Sequence, residues 1–187
     1  MLIIDLGCGW LKYSATPKNP KARTKNVIGL DVCRYGNDVV ASALSTPFKD
    51  SIADLVVCRQ FLEHVDSISL IREVWRILKP NGKLLLETPN ALYVFRILRA
   101  LIHKESNPYP EHIQTFSSAE LRNLLTRNGF AVLSVSYFNI DICNPNIILN
   151  LAKKTIAYIT NNLFPMLDRD IRVTARKEGT AKFAQYR

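Results

Sequence analysis

The chain has 187 residues, 48% of them hydrophobic, and carries 25 Lys and Arg against 16 Asp and Glu, a formal charge of +9. That length suits one domain with its own core. No eighteen consecutive apolar residues occur, so no membrane-spanning helix is expected. The first residues have neither a basic start nor a small-residue cleavage site, and they suit a strand better than a signal peptide.

The charge is unevenly placed. Residues 1–30 hold five basic residues against one acid, residues 151–187 hold eight against three, and residues 31–150 balance at twelve each. Basic ends suit an anionic partner (nucleic acid, a phosphate-bearing substrate or lipid headgroups) and equally suit a solvated surface. Lys18, Lys21, Arg23 and Lys25 are interrupted by Pro17 and Pro20, which indicates a loop. The cysteines, Cys8, Cys33, Cys58 and Cys143, form no Cys-x-x-Cys pair. Buried thiols in a reducing cytoplasm are the expectation, with no metal site.

In chain order, Leu2-Ile-Ile-Asp-Leu6 runs into Gly7-Cys-Gly9. A short apolar run ending in glycines predicts a strand buried on both faces, followed by a sharp turn whose N–H groups are open to a ligand. A short helix over 10–16 is stopped by Pro17 and Pro20. Strands are predicted at Val27–Asp31, Asp38–Ser42, Asp54–Cys58 and Lys83–Glu87. Before the last of these, Ile68, Leu70, Ile71, Val74, Trp75, Ile77 and Leu78 recur at helical spacing, and Lys79-Pro-Asn-Gly82 closes that helix as a turn. This alternation means right-handed crossovers and a mostly parallel α/β sheet. Residues 91–104 predict an amphipathic helix, with Arg96, Arg99 and His103 on one face and Phe95, Leu98, Leu101 and Ile102 on another. Ser117-Ser-Ala-Glu120 is a capping box for a helix ending at Gly129. Ala131–Phe138 alternates as a strand, 147–163 is a long apolar helix, and Ile171–Ala175 is a final strand. Neither internal repeats nor a second domain are indicated.

With these pieces in place, the chain resembles a class I S-adenosylmethionine-dependent methyltransferase of the type 11 group. The likeness runs from Leu2 to about Lys177. It rests on Ile4-Asp-Leu-Gly-Cys-Gly9, Ile28-Gly-Leu-Asp31, Thr46-Pro-Phe-Lys-Asp50, Asp54-Leu-Val-Val-Cys58, Phe61-Leu-Glu-His-Val65, Glu73-Val-Trp-Arg-Ile-Leu-Lys-Pro-Asn-Gly82, Leu86-Glu-Thr-Pro-Asn90, His112 to Phe116 and Gly129-Phe130. Each is weak alone; their order and spacing carry the resemblance. It implies a Rossmann-like, doubly wound seven-stranded sheet, order 3-2-1-4-5-7-6, with helices on both faces. One methyltransferase domain would span 1–177, with a variable acceptor-side segment about 91–116 and a polar tail over 178–187. The first strand starts at Met1, so the helix that usually precedes it in this family is expected to be lacking.

The resemblance implies S-adenosylmethionine as cofactor, held by Asp5, Gly7, Cys8 and Gly9 at the turn and by Asp31 on the ribose hydroxyls. Ser42, Ala43 and Leu44 would flank the adenine, and residues Cys58 to Phe61 would line the methyl-transfer end. Leu11 stands at a frequent glycine position and Ser42 where the family commonly has an aspartate. Methyl transfer from a sulfonium needs alignment more than acid or base help. If the acceptor is a hydroxyl, His64 and His112 are the candidate bases. Arg59, Glu87, Asn90, Tyr109 and His112 are candidate acceptor contacts. For each residue a purely structural role is the competing reading.

A nicotinamide dinucleotide is disfavoured, because Lys12 stands where that fingerprint needs a third glycine. No Asp/Asn-Pro-Pro-Tyr/Phe follows the fourth strand and no Pro-Cys nucleophile is present, so nucleic-acid methylation is disfavoured. The expected function is methyl transfer to a small-molecule or lipid-like acceptor, in the cytoplasm, with peripheral membrane contact open through the helices at 91–104 and 147–163. The alternatives are a non-catalytic methyltransferase-like binding subunit and a nucleic-acid-binding or modifying protein.

Overall fold

The structure is a computed structural model that describes residues 1–9, 26–34, 36–103, 110–138 and 164–178. Seven strands form one sheet: β1 (Ile3–Leu6), β2 (Val27–Asp31), β3 (Val39–Val40), β4 (Ala53–Arg59), β5 (Leu78–Pro89), β6 (Phe130–Phe138) and β7 (Asp170–Lys177). Their order is β3-β2-β1-β4-β5-β7-β6, as expected. The first five run parallel; β7 lies antiparallel between β5 and β6. Helices α1 (Ser67–Ile77), α2 (Val94–His103) and α3 (Ser118–Arg127) accompany them. The expected helices at 10–16 and 147–163, Cys143, Leu11, Lys12, Tyr109 and the polar tail from 179 lie outside the described residues.

Side chains alternate across a strand, so register fixes what each face carries. Ile4, Leu6, Val56, Cys58, Leu84, Leu86, Ile171, Val173 and Ala175 share one face. They join Leu70, Ile71, Val74 and Ile77 of α1 and Leu121 and Leu125 of α3 in a single apolar core. The opposite face is charged at the carboxyl ends of the strands. There Arg59 of β4 stands beside Glu87 of β5, and Glu87 beside Arg172 of β7, with Asp5 one step back on β1. Arg59 Nη2 binds Asp5 at 3.0 Å and Arg172 Nε binds Glu87 at 2.7 Å. The two faces of β1 therefore differ: Ile4 and Leu6 enter the core, whereas Asp5 is buried as half of an ion pair.

Several boundaries differ from the sequence expectation for local reasons. β3 is two residues long, because Asp38 turns its carboxylate to the Gly29 N–H and Ser42 Oγ takes the Leu44 N–H instead of continuing the ladder. Lys79-Pro-Asn-Gly82 does not separate helix from strand. It is a bulge within β5, where pairing jumps from Ala53–Leu78 to Leu55–Lys83 and Asn81 takes φ +63°. Helix α2 starts only at Val94, since Asn90 Oδ1 accepts the Leu92 N–H and holds the preceding residues in a turn. Its apolar side is not core: Leu98, Leu101 and Ile102 are exposed, the last two by more than 70%. Cys8 and Cys58 are buried as expected, but Cys33 is exposed, because it follows β2 in a loop. The capping box at α3 forms as predicted, Ser117 Oγ accepting from Glu120 N and Glu120 accepting from Ser117 N.

Candidate active site

The site is built where β1, β2, β4 and β5 end, as parallel sheets place ligands outside the carboxyl ends of their strands. Gly7 and Gly9 turn the chain with φ of +64° and +54°, values that disfavour side chains. The loop's N–H groups are not open, contrary to expectation. Those of Gly7 and Cys8 both donate to the Leu30 carbonyl, at 2.9 and 3.2 Å, and that of Gly9 donates to Asp31 Oδ2 at 2.9 Å. The turn is thus tied to β2, and a ligand would meet the space above Gly9, where an added Cβ has no neighbour within 4 Å among the described residues. Gly7 is different. A Cβ there would sit 2.4 Å from the Phe61 ring, so this glycine is demanded by a side chain arriving from beyond β4.

Asp31, half-exposed at the end of β2, uses one carboxylate oxygen for Gly9 N and the other for Cys33 N, at 3.0 Å. Each oxygen keeps a second lone-pair direction, which suits a vicinal diol. Farther along, Ser42 is exposed, with its Oγ held by Leu44 N, while Ala43 is buried and Leu44 half-buried. Open space over Gly9, a carboxylate beside it and a small-residue loop past β3 fit a nucleoside bearing a charged amino-acid tail.

The acceptor side begins at Cys58. Its side chain is fully buried in the core, and burial, with the nearby Glu63 and Asp5 charges, pushes the thiol far above its ordinary range. It therefore offers a ligand its backbone only. Arg59, Leu85, Glu87 and Arg172 line an open cleft of about 400 Å³. Arg59 is expected to touch an acceptor, and Asp5 to orient the loop or meet the cofactor's ammonium; in the structure each holds the other. Gln60, at φ +49°, donates its backbone N–H to Glu87 O and its amide to Asp170. Asn90 is nearly inaccessible. Its two amide hydrogens go to the Met166 and Asp168 carbonyls, both at 2.8 Å, so it pins the end of β5 to the turn at Pro165–Leu167 and has no donor left for an acceptor.

His64 and His112, far apart in sequence, come together. Their rings are 4.7 Å apart at 86°. His64 ends a 3-10 turn over Leu62–His64, and the strip carrying His112 is bound to that turn, with Ile113 N and Gln114 N donating to Glu63 O. Burial, then the neighbouring His64, hold His112 below the usual imidazole range, as the neutral form a base requires. Glu63 lies beneath them, buried, with Thr88 Oγ1 donating to it at 2.9 Å, and burial raises its carboxyl. Sequence reasoning assigned no role to Glu63 or Arg172. Glu63 sits beside a proposed base and Arg172 on a strand beside Glu87, but only the assembled sheet shows those contacts.

The profile of the methyltransferase domain family matches residues 1–135. The chain belongs to that family. Among curated relatives of this methyltransferase-domain chain, an uncharacterised protein of Methanocaldococcus jannaschii is 35% identical over 97 residues, 48% of this chain and 41% of its own length. A protein of Mycolicibacterium smegmatis named "probable S-adenosylmethionine-dependent methyltransferase" is 32% identical over 142 residues, 70% of this chain and 52% of its own length. The chain thus spans about half the length, or less, of these relatives. A SAM-dependent methyltransferase from Archaeoglobus fulgidus superposes with a TM-score of 0.62 at 19% identity, covering 94% of this chain and 85% of that one. So does a chain of the Haloferax volcanii complex between the Trm112 methyltransferase activator and a methyltransferase, with a TM-score of 0.64 at 18% identity, covering 95% and 83%. S-adenosylmethionine is the cofactor that family membership implies, and the open turn and Asp31 fit it.

Proposed function

We propose that this methyltransferase-domain chain binds S-adenosylmethionine across the ends of β1 and β2 and transfers its methyl group to a small-molecule acceptor held beyond β4 and β5. The observation that carries the reading is the Gly9–Asp31 unit: an open, positive-φ turn locked by hydrogen bond to a carboxylate with lone pairs to spare. When bound, the cofactor supplies an electrophilic methyl on a sulfonium. The chain's share is alignment. Asp31 would accept the ribose hydroxyls, Gly7, Cys8 and Gly9 would pass beneath the amino-acid tail, and Ser42, Ala43 and Leu44 would flank the adenine. Arg59, Glu87 and Arg172 would orient a polar acceptor in the cleft, with neutral His112 or His64 taking a proton where the acceptor is a hydroxyl. A cytoplasmic setting belongs to the same proposal, supported by the cysteine usage.

Titration calorimetry of the chain with S-adenosylmethionine and S-adenosylhomocysteine tests the reading. Saturable binding of both is expected, and none at millimolar cofactor with the protein folded would remove the enzyme reading for this chain. Two observations favour second readings. The exposed Leu98, Leu101 and Ile102 of α2 suit a lipid-like acceptor or a membrane surface, which vesicle sedimentation would detect. The activator in the Haloferax complex suggests a partner-completed site, in which case cofactor binding appears only after a partner is added. Among the described residues no helix is long and apolar enough to cross a membrane.

A further inference from the structure

Glu63, His64 and His112 form a cluster that methyl transfer by alignment does not need. A carboxylate oxygen of Glu63 and a ring nitrogen from each histidine lie within 4.8 Å of one another. Two features suit these groups to a ligand. Glu63 is 1% exposed, and the Thr88 hydroxyl donates to one of its carboxylate oxygens, whereas Oε1 has no hydrogen-bond partner among the described residues. A buried carboxylate oxygen without a donor is costly, and a proton or a bound cation relieves that cost. His64 Nδ1 lies 3.1 Å from the Glu111 carbonyl, a bond that places the proton on Nδ1 and leaves the Nε2 lone pair for use. An imidazole fixed through its other nitrogen to a carbonyl is the usual outer-shell arrangement of a metal-ligating histidine.

We propose that Glu63, His64 and His112 form a binding site for a divalent transition-metal ion on the acceptor side of the sheet. Two imidazoles with one carboxylate make a donor set suited to Zn²⁺ or Fe²⁺ and poor for Ca²⁺ or Mg²⁺, which prefer oxygen. Bonds of about 2.0–2.2 Å bring ligand atoms to roughly 3.3 Å from one another, so the cluster must contract by about 1.5 Å. Glu63 and His64 share a short turn, so the contraction falls to His112, a half-buried residue on the strip that binds the Glu63 carbonyl. Three protein ligands leave a coordination position open. An acceptor oxygen bound there would be polarised and its proton more readily lost to solvent. That last role rests on the methyltransferase reading above; the metal site itself does not.

The test uses the untagged full chain with Zn²⁺ and Co²⁺. Equilibrium dialysis with elemental analysis is expected to give one ion per chain, and Co²⁺ is expected to show the visible bands of a nitrogen- and oxygen-ligated low-coordinate site without a thiolate charge-transfer band. His112→Ala and His64→Ala should each lower affinity by about tenfold or more, while S-adenosylhomocysteine affinity stays as in the parent chain. Glu63→Gln should do the same; if it fails to fold, the two histidine variants decide. Absence of saturable binding, or binding that survives both histidine substitutions, overturns the proposal. A thiolate band that disappears with Cys33→Ser would also overturn it, by placing the ion elsewhere. Metal binding without S-adenosylhomocysteine binding would instead retire the methyltransferase reading and leave the metal site standing.

Discussion

Removing the Asp31 carboxylate separates two jobs that the structure gives to one side chain. Its oxygens hold Gly9 N at 2.9 Å and Cys33 N at 3.0 Å, and the proposed cofactor would add two ribose hydroxyls. Hydrogen bonds to a charged group contribute about 1.5–3 kcal/mol, with the lower end applying where water can replace them. Asp31 is half-exposed, so for Asp31→Ala the lower end for each of the two N–H groups gives about 3 kcal/mol of lost fold stability. Loss of the ribose bonds should cost about 1–3 kcal/mol of cofactor affinity, a rise in Kd of roughly 5- to 150-fold. Asp31→Asn keeps one acceptor oxygen but turns an NH₂ towards the other donor, and should fall near the alanine variant. Calorimetry with S-adenosylhomocysteine reads the affinity and urea denaturation reads the stability. A folded variant that binds within twofold of the parent refutes the ribose assignment and leaves Asp31 as the tie between turn and β2 alone.

Gly7→Ala introduces a Cβ 2.4 Å from the Phe61 ring at a φ of +64°. Left-handed backbone and overpacking together should cost about 2–4 kcal/mol in urea denaturation. Phe61→Leu in the same chain should recover the overlap part only, and a loss below about 0.5 kcal/mol would mean the ring simply moves aside. Glu73 is a third case. Burial pushes its carboxyl up, but Arg76 and Thr46, bonding to it at 2.6–2.8 Å, outweigh that and hold it below the ordinary 4.5. A lowered folded pKa stabilises the protein above the unfolded value and is lost as pH falls through the folded one. Glu73→Gln should therefore cost about 2–3 kcal/mol at pH 7, with the gap to the parent chain narrowing below pH 4.5. A gap that is constant across that range would refute the ion-pair account.

What could be read from the sequence alone follows from short-range rules. Short apolar runs marked β1, β2, β4 and β5, because a strand buried in a parallel sheet tolerates little else. Helical spacing marked α1, and Ser117 with Glu120 marked the start of α3, because capping is local. The turn and Asp31 were legible for the same reason: each sits where a strand must end. What only the tertiary structure decided depends on contacts across the sheet. Register put Arg59 beside Asp5, 54 residues away, so two expected site residues satisfy each other. It turned the Gly7 and Cys8 N–H groups onto Leu30, and it gave Gly7 its reason in a ring 54 residues downstream. The exposure of α2 could not be read from its amphipathic pattern, since periodicity says that two faces differ and not which surface either meets. Above all, Glu63, His64 and His112 became one cluster only when the strip at 110–116 bound the carbonyl of Glu63, a backbone hydrogen bond that no side-chain pattern announces.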